Sequence, residues 1–381
     1  MRAVFLVSRR ALRAVISYAM YIDMHTIVER DVEAIAASLT KEELNRCEGS
    51  RFLISGGAGF LGSYLLASFA VLNRKYLDKP CRVVSLDNYL TGTKTGVAAH
   101  IQDSHISFTQ GDVRTPLRID GPLDYIVHAA GVASPVYYQK FPVETIESAF
   151  IGAKNLLECA REKRVKGFLL LSSSEIYGDP DPNFIPTPEH YYGNVSSIGP
   201  RACYDESKRL AETIAMVYHT KYKVPIKIVR PFNVYGPGMR PDDYRVVPTF
   251  VVRALTKGVL PVHDKGSQTR TFCYVQDGVT AFLKVLLSGK EGEVYNVGID
   301  TGEINMAALA HTVAGLAGTG VAVQSVPYPE AYPSNEPRRR CPDISKIKRD
   351  VGFVPVVALE DGLARTLGWF RDTLPPGYTL V

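Results

Sequence analysis

The chain has 381 residues, 46% of them apolar and 22% charged, the make-up of an ordinary globular protein with room for one large α/β domain and a smaller one. Its net charge of +5, from 44 basic and 39 acidic residues without a long basic run, argues against nucleic acid as a partner. Six cysteines at 47, 81, 159, 203, 273 and 341 form no CxxC pair, and the eight histidines show no HExxH spacing, so the reading is reduced thiols, no metal and a cytoplasmic location.

Residues 1–23 carry four arginines and no acid before Asp23. Arg9, Arg10 and Arg13 interrupt the apolar run, which argues against a membrane span. No clear small-residue cleavage site follows. Met24 offers an alternative start, which would make residues 1–23 a translation artefact; otherwise they read as a disordered tail. From Val28 to Asn45 the spacing predicts one helix, with Thr40 and Glu43 at capping-box spacing.

After Arg51, short β-rich runs alternate with helical stretches. The predicted strands are RFLIS (51–55), RVVSLD (82–87), ISFTQ (106–110), DYIVHAA (124–130), GFLLLSS (167–173) and PIKIVR (225–230). They are mostly continuous apolar runs, as strands buried on both faces are. Helices between them require parallel crossovers. The expectation is an α/β fold: a doubly wound parallel sheet with helices on both faces. Beyond Arg230 the chain is richer in Pro and Gly, which suggests a smaller C-terminal domain over the sheet's carboxyl edge. The expected division is an extension (1–48), a dinucleotide-binding domain (49–231, with 270–298 returning to it) and a substrate-binding domain (232–269 and 299–381).

The first strand ends in SGGAGFLG, where Gly57-Ala58-Gly59-Phe60-Leu61-Gly62 satisfies GxGxxG and Gly56, Gly59 and Gly62 lie three apart. In the strand–turn–helix context these bare amides can face a pyrophosphate, the mark of a Rossmann-type NAD site. Asp87 ends the second strand, 25 residues past Gly62. A carboxylate there accepts ribose hydroxyls and repels a 2′-phosphate, favouring NAD over NADP. Asp112 after the third strand is placed to reach the adenine, and HAAG (128–131) to line the dinucleotide.

The stretch PRACYDESKR holds Tyr204 and Lys208 one helical turn apart. A free tyrosine, with a pKa near 10, is too weak a base at neutral pH. An adjacent ammonium, together with the positive nicotinamide, is expected to favour the phenolate. Serines 172–174, at a strand end some 30 residues upstream, can share the same substrate oxygen.

GGAGFLG, Asp87, the Ser-Ser-Glu turn and YxxxK together resemble the extended short-chain dehydrogenase/reductases that act on nucleotide sugars. Over roughly residues 50–370 the likeness runs towards the UDP-glucuronate decarboxylases, carried by SSSEIYGDP, SIGPRACYDESKRLAET, RPFNVYGPGM with DDYRVVPTF, GSQTRTFCYVQD and RRRCPDI. The resemblance implies that Gly56, Gly59, Phe60, Leu61, Gly62, Asp87, Asn88, Asp112, Val113 and Ala129 bind NAD with Tyr204 and Lys208. It makes Tyr204 the base, Lys208 its partner, and Ser173, Ser174, Glu175 and Arg340 the remaining catalytic positions. Ser134, Glu175, Asn233, Arg245, Val246, Arg270 and Arg340 would bind the nucleotide sugar, Arg340 at the glucuronate carboxylate. It further implies conversion of UDP-glucuronate to UDP-xylose through a 4-keto sugar, and a homodimer through the helix after Phe141 and the one carrying Tyr204.

The chain departs from the decarboxylase pattern in HAAGVASP, where that group commonly reads HLASPASP, and at Ala149, where an Asn is usual. The alternatives are a 4,6-dehydratase, which usually has Asp-Glu where Ser174-Glu175 stands, a 4-epimerase, and a non-catalytic NAD sensor or scaffold.

Overall fold

The computed structural model describes residues 25–328 and 337–380; the arginine-rich segment 1–23 lies outside them. Two helices come first, α1 (Thr26–Ala37) and α2 (Lys41–Cys47), where one was expected. The reason is Thr40. Its hydroxyl accepts from Glu43 N while Glu43 Oε2 accepts from Thr40 N at 2.8 Å, so the capping box starts a second helix rather than decorating a continuous one.

The strands β1 (Arg51–Ser55), β2 (Arg82–Asp87), β3 (Ile106–Gln110), β4 (Tyr125–His128), β5 (Gly167–Leu171), β6 (Ile226–Pro231) and a later strand Glu293–Val297 form one seven-stranded sheet. All its pairings are parallel, in the order β3-β2-β1-β4-β5-β6 followed by the Glu293–Val297 strand. Strand order therefore reverses between β1 and β4, and a doubly wound sheet leaves its ligand crevice there. The fourth and fifth strands are shorter than the sequence suggests. Ala130 leaves the sheet for the crevice, and Ser173 caps a short 3-10 turn, Ser174–Tyr177.

The crossovers are α3 (Phe60–Val71), α4 (Pro135–Lys140), α5 (Pro142–Lys163) and α6 (Ala202–Tyr222). On one face of the sheet Phe52 of β1 stacks on Tyr125 of β4 with ring centroids 4.9 Å apart. On the other, Leu53, Ile126, Phe168 and Ile228 meet Leu156 and Ala215 of α5 and α6. α3 is buried nearly all round, its outer side covered by α1. Such a helix is apolar on every face rather than amphipathic.

The chain then builds a second layer above the carboxyl edge. It comprises β7 (Val234–Tyr235), α7 (Val246–Thr256), β8 (Val259–His263), β9 (Thr269–Arg270) and β10 (Cys273–Tyr274). It returns through α8 (Val275–Ser288) and β11 (Glu293–Val297), the seventh strand. It closes with β12 (Ile304–Asn305), α9 (Met306–Ala317), β13 (Ala322–Val326), β14 (Arg339–Arg340), α10 (Ser345–Val351) and α11 (Leu359–Thr373). β9 pairs antiparallel with β12 and parallel with β14, so Arg270 and Arg340 stand side by side in register.

Candidate active site

The crevice begins at the turn after β1. Gly56 has φ +79°, and a Cβ there would stand 2.6 Å from Ala130 N; a Cβ on Gly62 would stand 2.0 Å from Gly56 O. Side chains are thus excluded by close backbone packing, and the helix start is left bare. Gly59 is the N-cap of α3, so Phe60 and Leu61 contribute first-turn N–H groups that have no intrahelical partner.

A hollow of about 60 Å³ lies in front of this turn, bordered by Gly56, Gly59, Asp87, Asn88, Val113 and Ala129. Phe60, Leu61, Gly62 and Asp112 do not border it. Asp87 Oδ2 accepts from Ala58 N at 2.9 Å and Oδ1 from Tyr89 N at 2.8 Å, which fixes the carboxylate facing the hollow with lone pairs to spare. A bare turn at a helix N-terminus and a fixed acid at the end of β2 fit a dinucleotide.

Asp112 is placed differently from the expectation. Arg114 grips it through Nε at 3.0 Å and Nη2 at 2.8 Å, and Asn88 Nδ2 adds a third donor at 3.0 Å. Arg114 holds its carboxyl down at about 2. Asp112 thus fixes Arg114 and Asn88, both of which border the hollow.

Tyr204 and Lys208 share one face of α6, as i, i+4 spacing requires. The Tyr204 ring stacks on Tyr138 at 5.4 Å, with Val132 in the same buried cluster. Lys208 Nζ lies 5.9 Å from the Tyr204 ring centroid and donates to Leu171 O at 2.8 Å. The expected lowering of the phenol is not what the chain alone produces. Burial pushes Tyr204 up to about 12, with a hydrogen bond to Ser173 working against it. Burial also pushes Lys208 down to about 8, with Glu212 working against it. Both shifts have one cause, since removing water penalises either charged form. A positive charge placed beside Tyr204 would favour its phenolate.

A second, larger cavity of about 510 Å³ opens beside Tyr204. Glu175, Asn233, Arg245, Val246, Arg270 and Arg340 all border it. Ser134, Ser173 and Ser174 do not. Ser134 Oγ donates to Asp243 O at 2.5 Å, and Ser173 Oγ accepts from Glu175 N at 3.2 Å. Asn233, at φ +43°, donates to Thr271 O, and Arg245 forks onto Asp243. Arg270 donates to the backbone carbonyls of Pro337, Arg338 and Thr269.

The electrostatic centre of this cavity is Glu175. Both nitrogens of the Arg340 fork reach its two oxygens, and Arg201 Nη2 bonds Oε2. Burial on its own would raise this carboxyl, but Arg340 and then Arg201 outweigh it and hold it at about 2. Arg340 thus meets a carboxylate of the chain itself, where a sugar carboxylate alone was expected. Its Nε is buried without a hydrogen-bond partner.

Arg201 and Asp205 escaped the sequence reading. Arg201 Nε lies 3.5 Å from Asp205 Oδ2, and Asp205 is pushed up to about 7 by burial and then by Glu175. Their signal was present in PRACYDESKR. Residues 201, 204, 205 and 208 recur at helical spacing, and polar residues on a buried helix face need partners.

Residues 52–298 match the NAD dependent epimerase/dehydratase family. Over 313 residues the chain is 42% identical to UDP-glucuronic acid decarboxylase 3 of Arabidopsis thaliana, covering 82% of this chain and 86% of the relative. Over 332 residues it is 39% identical to UDP-glucuronic acid decarboxylase 1 of Xenopus tropicalis, covering 87% and 74%. Its fold is similar to that of the dTDP-glucose 4,6-dehydratase DesIV of Streptomyces venezuelae, a structure with NAD bound. The TM-score is 0.73 at 28% identity, over 85% of this chain and 97% of that one.

Proposed function

The chain belongs to the NAD-dependent epimerase/dehydratase family, and from that premise we propose that it decarboxylates UDP-glucuronate to UDP-xylose. Among the geometric features, one carries the reading: two arginines, Arg340 and Arg201, converge on Glu175 in the cavity that Tyr204 borders. With Arg270 beside Arg340, cations outnumber this carboxylate, which suits an acidic sugar.

NAD⁺, when bound, would supply a hydride acceptor for C4 of the sugar and, once reduced, a hydride donor. Gly56, Gly59 and Asp87 would hold the dinucleotide, and Lys208 its nicotinamide end. Tyr204 Oη takes the C4 hydroxyl proton, with Ser173 hydrogen-bonded to the same phenol. The resulting 4-ketone is β to the carboxylate, so the C5–C6 bond breaks with its electron pair delocalised into the ketone as an enolate. CO₂ leaves, and a proton returns to C5. The arginines hold the carboxylate at the outset and lose that contact as CO₂ departs neutral.

The dehydratase reading asks a carboxyl near C6 to act as an acid. Glu175, held at about 2 by its arginines, is a poor proton donor at neutral pH. The exposed apolar side chains Val143 and Ile146 on α5 and Leu210 and Val217 on α6 support a homodimer through these two helices, which sedimentation would test. A cytoplasmic location agrees with six free cysteines and with the absence, among the described residues, of any helix long and apolar enough to cross a membrane.

The test is incubation with carboxyl-labelled UDP-glucuronate. Release of labelled CO₂ with formation of a UDP-pentose is expected. A UDP-hexuronate epimerised at C4 without CO₂, or water loss from a nucleotide hexose instead, would overturn the assignment.

A further inference from the structure

Tyr204 and Lys208 are the first two members of a stripe whose third is Glu212, four residues further along α6. Glu212 sits in a part-buried polar knot. Its Oε1 accepts from Ser172 Oγ at 2.5 Å and from Arg230 Nε at 2.9 Å; its Oε2 accepts from Arg230 Nη2 at 2.6 Å. Ser172 lies between Leu171, whose carbonyl holds Lys208 Nζ, and Ser173, which hydrogen-bonds Tyr204. Arg230 continues the knot to Tyr177 Oη at 2.6 Å, and Tyr177 donates to Asn296 Oδ1 at 2.8 Å.

We infer that Glu212 is a positioning residue for the proton-transfer pair: its carboxylate keeps Lys208 cationic and, through Ser172, fixes the 171–173 turn that serves both Lys208 and Tyr204. The inference rests on the reading of Tyr204 as the base. It adds a group that touches neither sugar nor cofactor and borders neither cavity.

Charge bookkeeping around Lys208 supports it. From β4, His128 faces the ammonium; burial and Lys208 hold it neutral, with its pKa at about 3, and its Nδ1 lies 2.9 Å from Ser55 Oγ. From β5 comes the Leu171 carbonyl. From β6 comes Arg230, a cation. From α6 itself come Tyr204, neutral in the free chain, and Glu212. Glu212 is thus the anion that opposes the desolvation of Lys208. Arg230 pairs with it through a fork that fixes its orientation, side-chain exposures being 9% and 13%. If Glu212 loses its charge, Lys208 loses the anion that opposes its desolvation and sheds its proton more readily. The phenolate of Tyr204 then loses its neighbouring cation.

The experiment reads Tyr204 directly and needs no sugar. Phenolate absorbance near 295 nm is titrated in the NAD⁺ complex, and the Tyr204→Phe trace is subtracted. In Glu212→Gln the Tyr204 midpoint should move up by about one pH unit or more. In Ser172→Ala, which keeps the carboxylate and loses only its link to the 171–173 turn, it should move up by less. If Glu212→Gln does not fold with Arg230 unpaired, Glu212→Gln/Arg230→Met removes both charges and should show the same upward movement. An unmoved midpoint in a folded Glu212→Gln or double variant, or an equal movement in Ser172→Ala, overturns the inference. A protein that shows the shift yet releases no CO₂ from UDP-glucuronate would sink the substrate assignment and leave Glu212 in its role.

Discussion

Tyr204 loses only its proton-accepting oxygen when changed to phenylalanine. The stacking on Tyr138 and the helix stay as they are. Tyr204→Phe should therefore bind NAD nearly normally while turnover falls by about 10²- to 10⁴-fold, the usual worth of a positioned acid–base group. NAD titration beside steady-state CO₂ release separates the two, and near-normal turnover would remove Tyr204 from the chemistry. Arg340 makes a sharper case, because it meets Glu175 in the chain itself. Arg340→Lys keeps one charge and loses the fork. It should weaken turnover of UDP-glucuronate by about 10- to 100-fold, the worth of a charge-assisted bond, while binding of UDP-glucose changes little. Equal effects on both sugars would mean that Arg340 orders the site rather than reading the carboxylate. Asp205 gives a pH signature. Burial and the nearby Glu175 raise it from 3.8 to about 7, so the folded state prefers the protonated acid. Its contribution to stability is complete below 3.8 and is lost as pH rises through 7. Asp205→Asn should accordingly gain on the parent protein as pH climbs from 4 to 8, seen as a widening difference in Tm; a constant difference contradicts this.

At the scale of elements, the glycine turn and Asp87 act as one unit, since Ala58 N in the turn donates to Asp87 Oδ2. Asp87→Asn keeps the size of the side chain but loses the charge and one of the two acceptors that Ala58 N and Tyr89 N use. It should weaken NAD and narrow the preference over NADP, measured as the ratio of the two dissociation constants; a parent protein that binds both equally well would refute the role given to Asp87. These parts were legible in the sequence because each rests on local rules. Buried parallel strands read as apolar runs, and a strand–glycine turn–helix–acid order has few alternatives. What escaped reading depends on contacts distant in sequence. Glu293–Val297 has Glu293 and Asn296 among few apolar residues. It pairs in parallel with β6 as the seventh strand, and Asn296 meets Tyr177 Oη, Thr187 O and Asp343 O inside the fold. Arg340 could be matched to a motif. That its fork meets Glu175, 165 residues earlier, is visible only once β14 pairs with β9. That burial raises the Tyr204 phenol in the chain by itself escaped reading for a similar reason. Spacing shows which charges are neighbours, whereas desolvation depends on everything packed around them.

For the molecule as a whole, the helices ahead of β1 are part of the core. Val28, Val32, Ile35 and Ala36 of α1 are almost wholly buried, and the helix packs on α3 and α8. Asp31, also wholly buried, accepts from Tyr274 Oη at 2.6 Å, from Arg365 Nη1 at 2.9 Å and from Tyr64 Oη at 3.4 Å. Those donors come from β10, α11 and α3, so one carboxylate ties the dinucleotide-binding layer to the last helix of the chain. α2 adds Glu43, which accepts from Ser288 Oγ at 3.0 Å and Lys284 Nζ at 3.4 Å at the end of α8. If this segment were an appendage, truncating one of its buried side chains would loosen the segment alone. If it is core, the cost falls on the whole fold. Ile35→Ala should then lower global stability by about 2–5 kcal/mol, the range for deleting a buried aliphatic side chain. Denaturation should show one transition moved to lower denaturant, not a new early step. No residue of α1 borders either cavity, so the KM for the sugar nucleotide should be unchanged below the transition. A separate low-denaturant phase with the main midpoint unmoved would mean that α1 unfolds by itself, and that Asp31 does not join the two layers.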